Sequence, residues 1–260
     1  MRKTKIMGSL FLTIGFLIGT SCMMCRAEKN HYFSKTVEDI APFHTLHVTG
    51  TVEVDLVQRP SVVVRISGPE QEVLAADVHM EKDTLFVGAS SSGRGHKNLR
   101  VHIAAPAVWQ VKISQEAEVK IVGAYEVVQF SLALQEQSDF SADRLRTHGL
   151  TISVADKSEA EINRIDAHTV KANAAGQGEI ELSGLAQLAI LENEGTGEID
   201  AADLRVQRGS ASVKNKGDIK IAAYEALTAA VFGRGKVLYK GEPVHMERSG
   251  NLKRILPDND

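Results

Sequence analysis

Residues 178–182 read Gly-Glu-Ile-Glu-Leu, residues 197–201 read Gly-Glu-Ile-Asp-Ala, and residues 217–221 read Gly-Asp-Ile-Lys-Ile. Between about Trp109 and Gly241 this unit, a small residue followed by a charged and an apolar one, occurs seven times. The small residue, or anchor, of each unit is Ala117, Ser138, Ser158, Gly178, Gly197, Gly217 or Gly235. Anchors are 18 to 21 residues apart, and apolar residues recur at alternate positions after them. Alternation with period two predicts strands that bury one face.

A repeat of about 20 residues made of strands is typical of a solenoid, in which stacked coils bury one another's inner faces. Two positions before each anchor stand Gln115, Glu136, Asp156, Gly176, Gly195, Asn215 and Gly233. Gly, Asn and Asp accept a left-handed backbone most easily, so we expect a tight corner there that relaxes at Gln115 and Glu136. The predicted fold is all-β: a single-stranded, right-handed parallel β-helix with a strand-rich N-terminal portion.

Composition sets the broad class of the protein. The 260 residues are 43% hydrophobic but only 5% aromatic, which suits a narrow core of aliphatic side chains. The formal net charge is −3, and no basic stretch resembles a nucleic-acid footprint. Nucleic acid is therefore not expected as a partner.

The first residues predict export. A positively charged start at residues 2–5 precedes an apolar run at residues 6–18 that is short for a membrane span. Cleavage after residues 25–27 would release a soluble protein. Alternatively, Cys22 follows Thr-Ser in a lipoprotein-like site and would carry a lipid anchor. Both cysteines lie in this region, so no disulfide framework is expected in the folded part.

Four segments follow from these patterns. Residues 1–27 are the predicted signal peptide, which in the alternative interpretation is a lipoprotein signal. Residues 28–42 are predicted to be a polar tether. Residues 43–245 form the β-helix domain, whose coil pattern first occurs at residues 46–56. Residues 246–260 are a C-terminal tail expected to cover the end of the solenoid, because an open end is an unpaired edge.

Four blocks carry a resemblance to a known family: residues 43–56, residues 98–106, the repeated Gly-Glu-Ile and Gly-Asp-Ile units, and residues 235–243. In this order they resemble the putative auto-transporter adhesin family, head GIN domain, found among secreted proteins of Bacteroidetes-type bacteria. The resemblance implies a right-handed β-helix that is secreted or attached to the envelope, and an adhesin role. It supplies no catalytic residues to transfer.

An acidic ladder is the most suggestive chemical feature. Coils stack about 4.8 Å apart, so six carboxylates are expected on one outward face: Glu159, Glu161, Glu179, Glu181, Glu198 and Asp200. Like charges this close repel by about 1 kcal/mol per pair even in water. Calcium, which prefers clustered carboxylate oxygens, would relieve the repulsion. The alternatives are a solvated face balanced by nearby Lys and Arg, and a catalytic carboxylate pair.

Other side chains carry weaker hypotheses. His148 and His168 are 20 residues apart, so their rings are expected to meet on adjacent coils, in a slot shared with Val127 and Leu188. They would occupy a half-buried structural position or share a metal. The basic, Gly-rich segment at residues 93–97 is read as an exposed tip that could touch an anionic glycan or phosphate. The sequence contains no Gly-x-Ser-x-Gly, phosphate-loop or dinucleotide motif.

The favoured function is a non-enzymatic binding or structural module of the cell envelope. We expect flat faces that contact a protein or a glycan in the manner of an adhesin. One alternative is a polysaccharide-active β-helix enzyme, but spacings of 18 to 21 residues leave little room for the long loops that build a catalytic cleft. Another is an architectural protein that recognises only an envelope partner or itself by self-association.

Overall fold

The structure is a computed structural model, and it describes residues 32–89 and 99–258. These residues form one sheet of 17 strands that coils into a solenoid, so the predicted all-β fold is confirmed. Eight strands and a short helix form the N-terminal portion: β1 (Tyr32–Val37), β2 (Thr45–Gly50), β3 (Glu53–Gln58), β4 (Val63–Pro69), α1 (Glu70–Ala75), β5 (Asp77–Glu81), β6 (Thr84–Ala89), β7 (Arg100–Ala105) and β8 (Gln110–Ser114). No helix among the described residues is both long and apolar enough to cross a membrane.

Six long strands make up the regular solenoid: β9 (Glu118–Leu134), β10 (Asp139–Val154), β11 (Glu159–Ala174), β12 (Glu179–Asn193), β13 (Glu198–Val213) and β14 (Asp218–Val231). Each pairs in parallel with the next, and the pairing shifts register only locally. Stacked inward rows therefore form the core; one such row is Phe130, Leu150, Val170, Ala189, Gly209 and Leu227. Burial of these rows supplies the main driving force for stacking.

The N-terminal coils do not stack in chain order. Strand β2 pairs in parallel with both β6 and β8, and β3 pairs in parallel with both β7 and β9. The coil at residues 45–58 therefore lies between one built from β6 and β7 and one built from β8 and the start of β9. Beyond β6 and β7, the antiparallel strands β5, β4 and β1 continue the sheet. Mixed pairing at this end agrees with the predicted strand-rich N-terminal portion.

Both predicted peripheral segments contain strands. Residues 32–37 of the expected tether form β1, which pairs along its whole length with β4. The C-terminal region contains β15 (Val237–Lys240), β16 (His245–Gly250), a 3₁₀ turn (Leu252–Arg254) and β17 (Ile255–Pro257). Strands β15 and β16 pair with β14, and β17 pairs with β15. These segments are ordered because an exposed strand edge offers unpaired N–H and C=O groups that they satisfy.

The corner before each anchor is built in two ways. Gln115, Glu136 and Asp156 have φ angles of 59°, 59° and 61°, so the expectation of a relaxed corner at Gln115 and Glu136 is wrong. Gly195 and Gly233 lie outside the left-handed region, but a Cβ on either would collide with a backbone carbonyl of the preceding coil. Glycine is needed at these later corners for close approach between coils, and not for a left-handed φ.

A buried asparagine completes one of the later corners. The side chain of Asn193 is fully buried, and its Nδ2 donates to the carbonyl oxygens of Gly197 at 2.9 Å and Asp218 at 3.0 Å. Its Oδ1 accepts a hydrogen bond from the N–H of Gly195 at 3.0 Å. One amide thus satisfies three backbone groups of two coils.

We predict that Asn193→Ala lowers the free energy of unfolding by about 2–3 kcal/mol, because buried backbone groups lose their partners. Denaturant unfolding followed by circular dichroism measures the loss. Asn173→Ala, a half-buried site of the preceding coil, is the control and should change stability by less than about 0.5 kcal/mol. Equal effects of the two substitutions would contradict the role assigned to Asn193.

Candidate functional site

The structure brings the six predicted carboxylates onto one outward face. Glu159 pairs in register with Glu179, and Glu161 with Glu181, which in turn pairs with Asp200. We call this set the acidic face: Glu159, Glu161, Glu179, Glu181, Glu198 and Asp200. Its members lie on β11, β12 and β13, and each side chain is exposed or half-buried.

Polar neighbours balance part of the acidic face. Lys220 Nζ lies 2.8 Å from carboxylate oxygens of both Glu198 and Asp200, and these contacts raise the pKa of the ammonium group. Asn163 donates a hydrogen bond of 2.7 Å to Glu161. The C-terminal end of the face is therefore an ion-pair network, as the solvated-face alternative requires.

The other end of the acidic face keeps its repulsion. Burial, followed by the charges of Asp139, Glu179, Glu161 and Glu181, raises the pKa of Glu159 above its ordinary value. Within residues 32–89 and 99–258, no group of three or more His, Cys, Asp and Glu side chains has an arrangement that could hold a metal ion. The charges of its neighbours therefore act against ionisation of Glu159.

A second feature lies near the middle of the long strands. Two open cavities of about 460 and 410 Å³ adjoin there and share Asp166, Ala167 and Gln187. They form one trough that crosses the coils from β9 to β14, parallel to the solenoid axis. We call it the axial groove. Five coil spacings of about 4.8 Å make it about 24 Å long.

Three stacked rows build the axial groove. One wall is the in-register row of Glu126, Arg146, Asp166, Leu185 and Arg205, and it ends at the ring of Tyr224 beside Arg205. The opposite wall consists of Val128, His148, His168, Gln187 and Gln207. The floor between them consists of Val127, Thr147, Ala167, Ala186 and Val206. The floor lies deeper than the walls because its side chains are shorter than most of those that flank them.

Contacts within the first wall hold its charged groups in place. Arg146 Nε lies 3.3 Å from Asp166 Oδ2 on the next coil. The guanidinium of Arg205 lies 5.1 Å from the centre of the Tyr224 ring, in cation–π distance. Leu185 stands between Asp166 and Arg205 and is 58% exposed. The wall thus offers charge, an aromatic face and an aliphatic surface in sequence.

The histidine pair belongs to the opposite wall. The rings of His148 and His168 meet edge to face with centroids 4.7 Å apart, so the expected ring contact is confirmed. Their predicted slot was one residue off, because Val127 pairs with Thr147 and Leu188 pairs with Thr169. Local register shifts cause this offset: one lies between Ala142 and Arg144, and the other lies between Ile162 and Ile165.

The groove departs from the expectation of flat flanks. Period-two alternation marks which side chains point outward, but it does not reveal how deep the space between two outward rows is. The missed signal is the column of small residues at Thr147, Ala167 and Ala186, flanked on both sides by larger ones. A second signal is the presence of two outward-facing apolar or aromatic residues, Leu185 and Tyr224, among charged neighbours. The predicted lipid-anchor residue Cys22 and the tip at residues 93–97 lie outside the described residues.

We predict that Glu159→Gln stabilises the protein near pH 7. The pKa of the Glu159 carboxyl is raised in the folded state, so folding disfavours its charged form. Folding stability from this group is therefore fully present below the ordinary pKa of 4.5 and is lost as pH rises through the raised pKa of the folded state. Removing the charge should raise Tm at pH 7 by up to about 2 °C and less at pH 4. Glu194→Gln, which breaks a 2.6 Å pair with Lys214, should not raise Tm; a rise in both would contradict the assignment.

The calcium site on the acidic face stays a prediction from sequence. It requires that millimolar calcium raise Tm by mass action, that magnesium fail to do so, and that a chelator reverse the rise. Glu179→Gln and Glu181→Gln should each abolish the effect, whereas Glu194→Gln should not. Equal Tm values with calcium and with chelator would overturn it and leave the carboxylates as a solvated face.

Solved structures with the same architecture come from Parabacteroides and Bacteroides species. A putative adhesin from Parabacteroides distasonis has a TM-score of 0.81 and 18% identity, covering 88% of this chain and 97% of that one. A putative adhesin from Bacteroides fragilis has a TM-score of 0.63 and 22% identity, covering 87% and 94%. A protein described as a putative lipid binding protein from Parabacteroides distasonis has a TM-score of 0.78 and 17% identity, covering 89% and 98%. At these identities the likeness shows a shared fold.

The family assignment comes from the sequence match. No curated protein matches this chain. The family model described as putative auto-transporter adhesin, head GIN domain, matches residues 42–243, which include the acidic face and the axial groove. This chain belongs to the putative auto-transporter adhesin, head GIN domain, family.

Proposed function

We propose that the protein is a non-catalytic binding module of the cell envelope and that the axial groove holds its partner. The groove carries the proposal, because it is a concave surface about 24 Å long that crosses six coils of the solenoid. Membership of an adhesin family supports an extracellular or envelope location and a role in surface contact. The partner is an envelope or host-surface protein or a glycan.

A rigid frame suits binding by this groove. Every wall residue of β9–β13 stands on a strand whose backbone pairs with the neighbouring coils. The walls therefore need little ordering when a ligand arrives, and less of the interaction free energy is lost to conformational entropy. Contacts such as the Arg146–Asp166 ion pair are already in place before binding.

The groove's carboxylates support binding rather than hydrolysis. Glu126 and Asp166 flank Arg146 on successive coils, which is the nearest approach to a paired-carboxylate arrangement in the groove. A catalytic acid needs a desolvated setting that keeps it protonated. Asp166 instead has a 64% exposed side chain and pairs with Arg146. We therefore assign these groups to recognition.

Export follows from the predicted signal peptide at residues 1–27. Cleavage after Ala27 would release the module, and acylation at Cys22 would tether it to a membrane. In both cases residues 28–31 precede β1, which pairs with the antiparallel strand β4 of the N-terminal portion. The groove on β9–β14 is then free to meet a partner at the cell surface.

We expect the purified mature protein, fluorescently labelled, to bind saturably to glycan-bearing cells or to protein-coated surfaces. Arg205→Glu should weaken retention about tenfold, because it reverses a charge in the groove wall and removes the cation–π contact. Arg208→Glu is the matched control, since Arg208 is exposed on the same strand outside the groove. Retention no greater than that of an inert protein, or release of reducing sugar from polysaccharides, would contradict the proposed function.

A further inference from the structure

From the composition and orientation of the axial groove, we infer that its ligand is a neutral, unbranched oligosaccharide chain lying parallel to the solenoid axis. The inference rests on the proposed binding function and names the chemical class of its ligand. Four observations carry it: the charge balance of the groove, the pairing state of its floor, its exposed apolar surfaces and its row of planar polar side chains.

Charge balance excludes a strongly charged ligand. The groove is lined by two arginines, Arg146 and Arg205, and three carboxylates, Glu126, Asp166 and Glu225. The signs alternate along the first wall, where Glu126, Arg146 and Asp166 follow one another on successive coils. A polyanion would meet Glu126, Asp166 and Glu225, and a polycation would meet Arg146 and Arg205, so either would be repelled in parts of the groove. A polar but uncharged chain meets no such repulsion.

Backbone pairing excludes recognition by strand addition. Peptides commonly bind a sheet by pairing with the free N–H and C=O groups of an edge strand. The groove crosses the middle of the sheet, where Thr147, Ala167 and Ala186 belong to strands paired on both sides. Recognition must therefore come from side chains, which favours a ligand that presents hydroxyl groups along its whole length over an extended peptide.

Exposed apolar surfaces in the groove match the carbon faces of sugar rings. Tyr224 is 41% exposed with Arg205 over its ring, and Leu185 is 58% exposed in the same wall. An aromatic side chain with a polar tip can pack against C–H groups while its hydroxyl forms a hydrogen bond. Because the two residues stand apart along the axis, they can support different rings of one chain.

Planar polar groups fill the opposite wall. Gln187 and Gln207 each carry donors and acceptors that suit hydroxyl groups. His168 stands in the same row, and its Nδ1 is the buried side-chain polar atom of the described ranges that lacks a hydrogen-bond partner. A buried nitrogen without a partner is destabilising, because it has lost its hydrogen bonds to water.

The test is calorimetric titration of the mature protein with four neutral hexasaccharides: cellohexaose, xylohexaose, mannohexaose and hexa-N-acetylchitohexaose. Hexagalacturonate and a fully deacetylated chitosan hexamer are the charged comparators. We expect at least one neutral hexasaccharide to bind, and to bind more tightly than its trimer, because the groove spans several coils. We expect neither charged comparator to bind more tightly than the neutral chains.

Variants locate the site. Tyr224→Ala and Gln187→Ala should each weaken binding about fivefold or more, through lost ring packing and lost hydrogen bonds respectively. Tyr32→Ala and Gln177→Ala remove the same residue types from exposed positions outside the groove and should leave affinity unchanged. Unchanged melting curves establish that the variants fold, and Gln187→Asn serves where alanine destabilises the coil.

The outcomes separate this inference from the proposed function. Surface retention that depends on Arg205, with no neutral hexasaccharide bound, would overturn the glycan assignment and leave the binding function in place. Retention on protein-coated surfaces alone would assign a protein partner instead. Preferential binding of a charged comparator would overturn the charge argument, and binding unaffected by Tyr224→Ala and Gln187→Ala would overturn the location. Neutral glycan bound without surface retention would refute the adhesive role but support the ligand class.

Discussion

Parallel backbone hydrogen bonding between coils is the constraint on which this structure depends. Each coil must place its N–H and C=O groups opposite those of the coil before it, at a fixed spacing of about 4.8 Å. Coils consequently keep nearly constant length, and any extra residue has to be absorbed as a local register shift, as between Ala142 and Arg144. The same demand explains the corners. Backbones there approach so closely that a Cβ at Gly197 would collide with the carbonyl of Gly178.

Fixed stacking also turns every outward position into a row along the axis. Where the row contains like charges, as on the acidic face, repulsion accumulates and Glu159 keeps a raised pKa, while Lys220 relieves the C-terminal members. Where small and long residues occupy neighbouring rows, as beside Ala167 and Ala186, the result is a groove. One packing rule therefore produces both candidate surfaces, and the side chains in each row decide their chemistry.

Sequence predicted the features that depend on short-range periodicity. The anchors at Gly178, Gly197 and Gly217 locate the coils, and alternation identifies the inward rows and the carboxylates of the acidic face. Three features depend on distant pairing or on local geometry and were not predicted. The coil at residues 45–58 is stacked between coils that come later in the chain. Gln115 adopts a left-handed backbone that its residue type does not favour, and the depth of the groove between the two outward rows beside Thr147 is not marked by the alternation of polar and apolar residues.

In this architecture backbone pairing maintains the fold, and the outward side chains remain available for recognition. In the groove the backbone is satisfied by neighbouring coils, so wall residues such as Gln187 and Arg205 can change without loss of a structural hydrogen bond. The acidic face is less free, because Lys220 bridges Glu198 and Asp200 and each substitution there alters an existing charge balance. Binding energy is gained most readily where side chains are exposed and preorganised. By this criterion the axial groove is the surface best suited to recognition, and the acidic face is better suited to interaction with water.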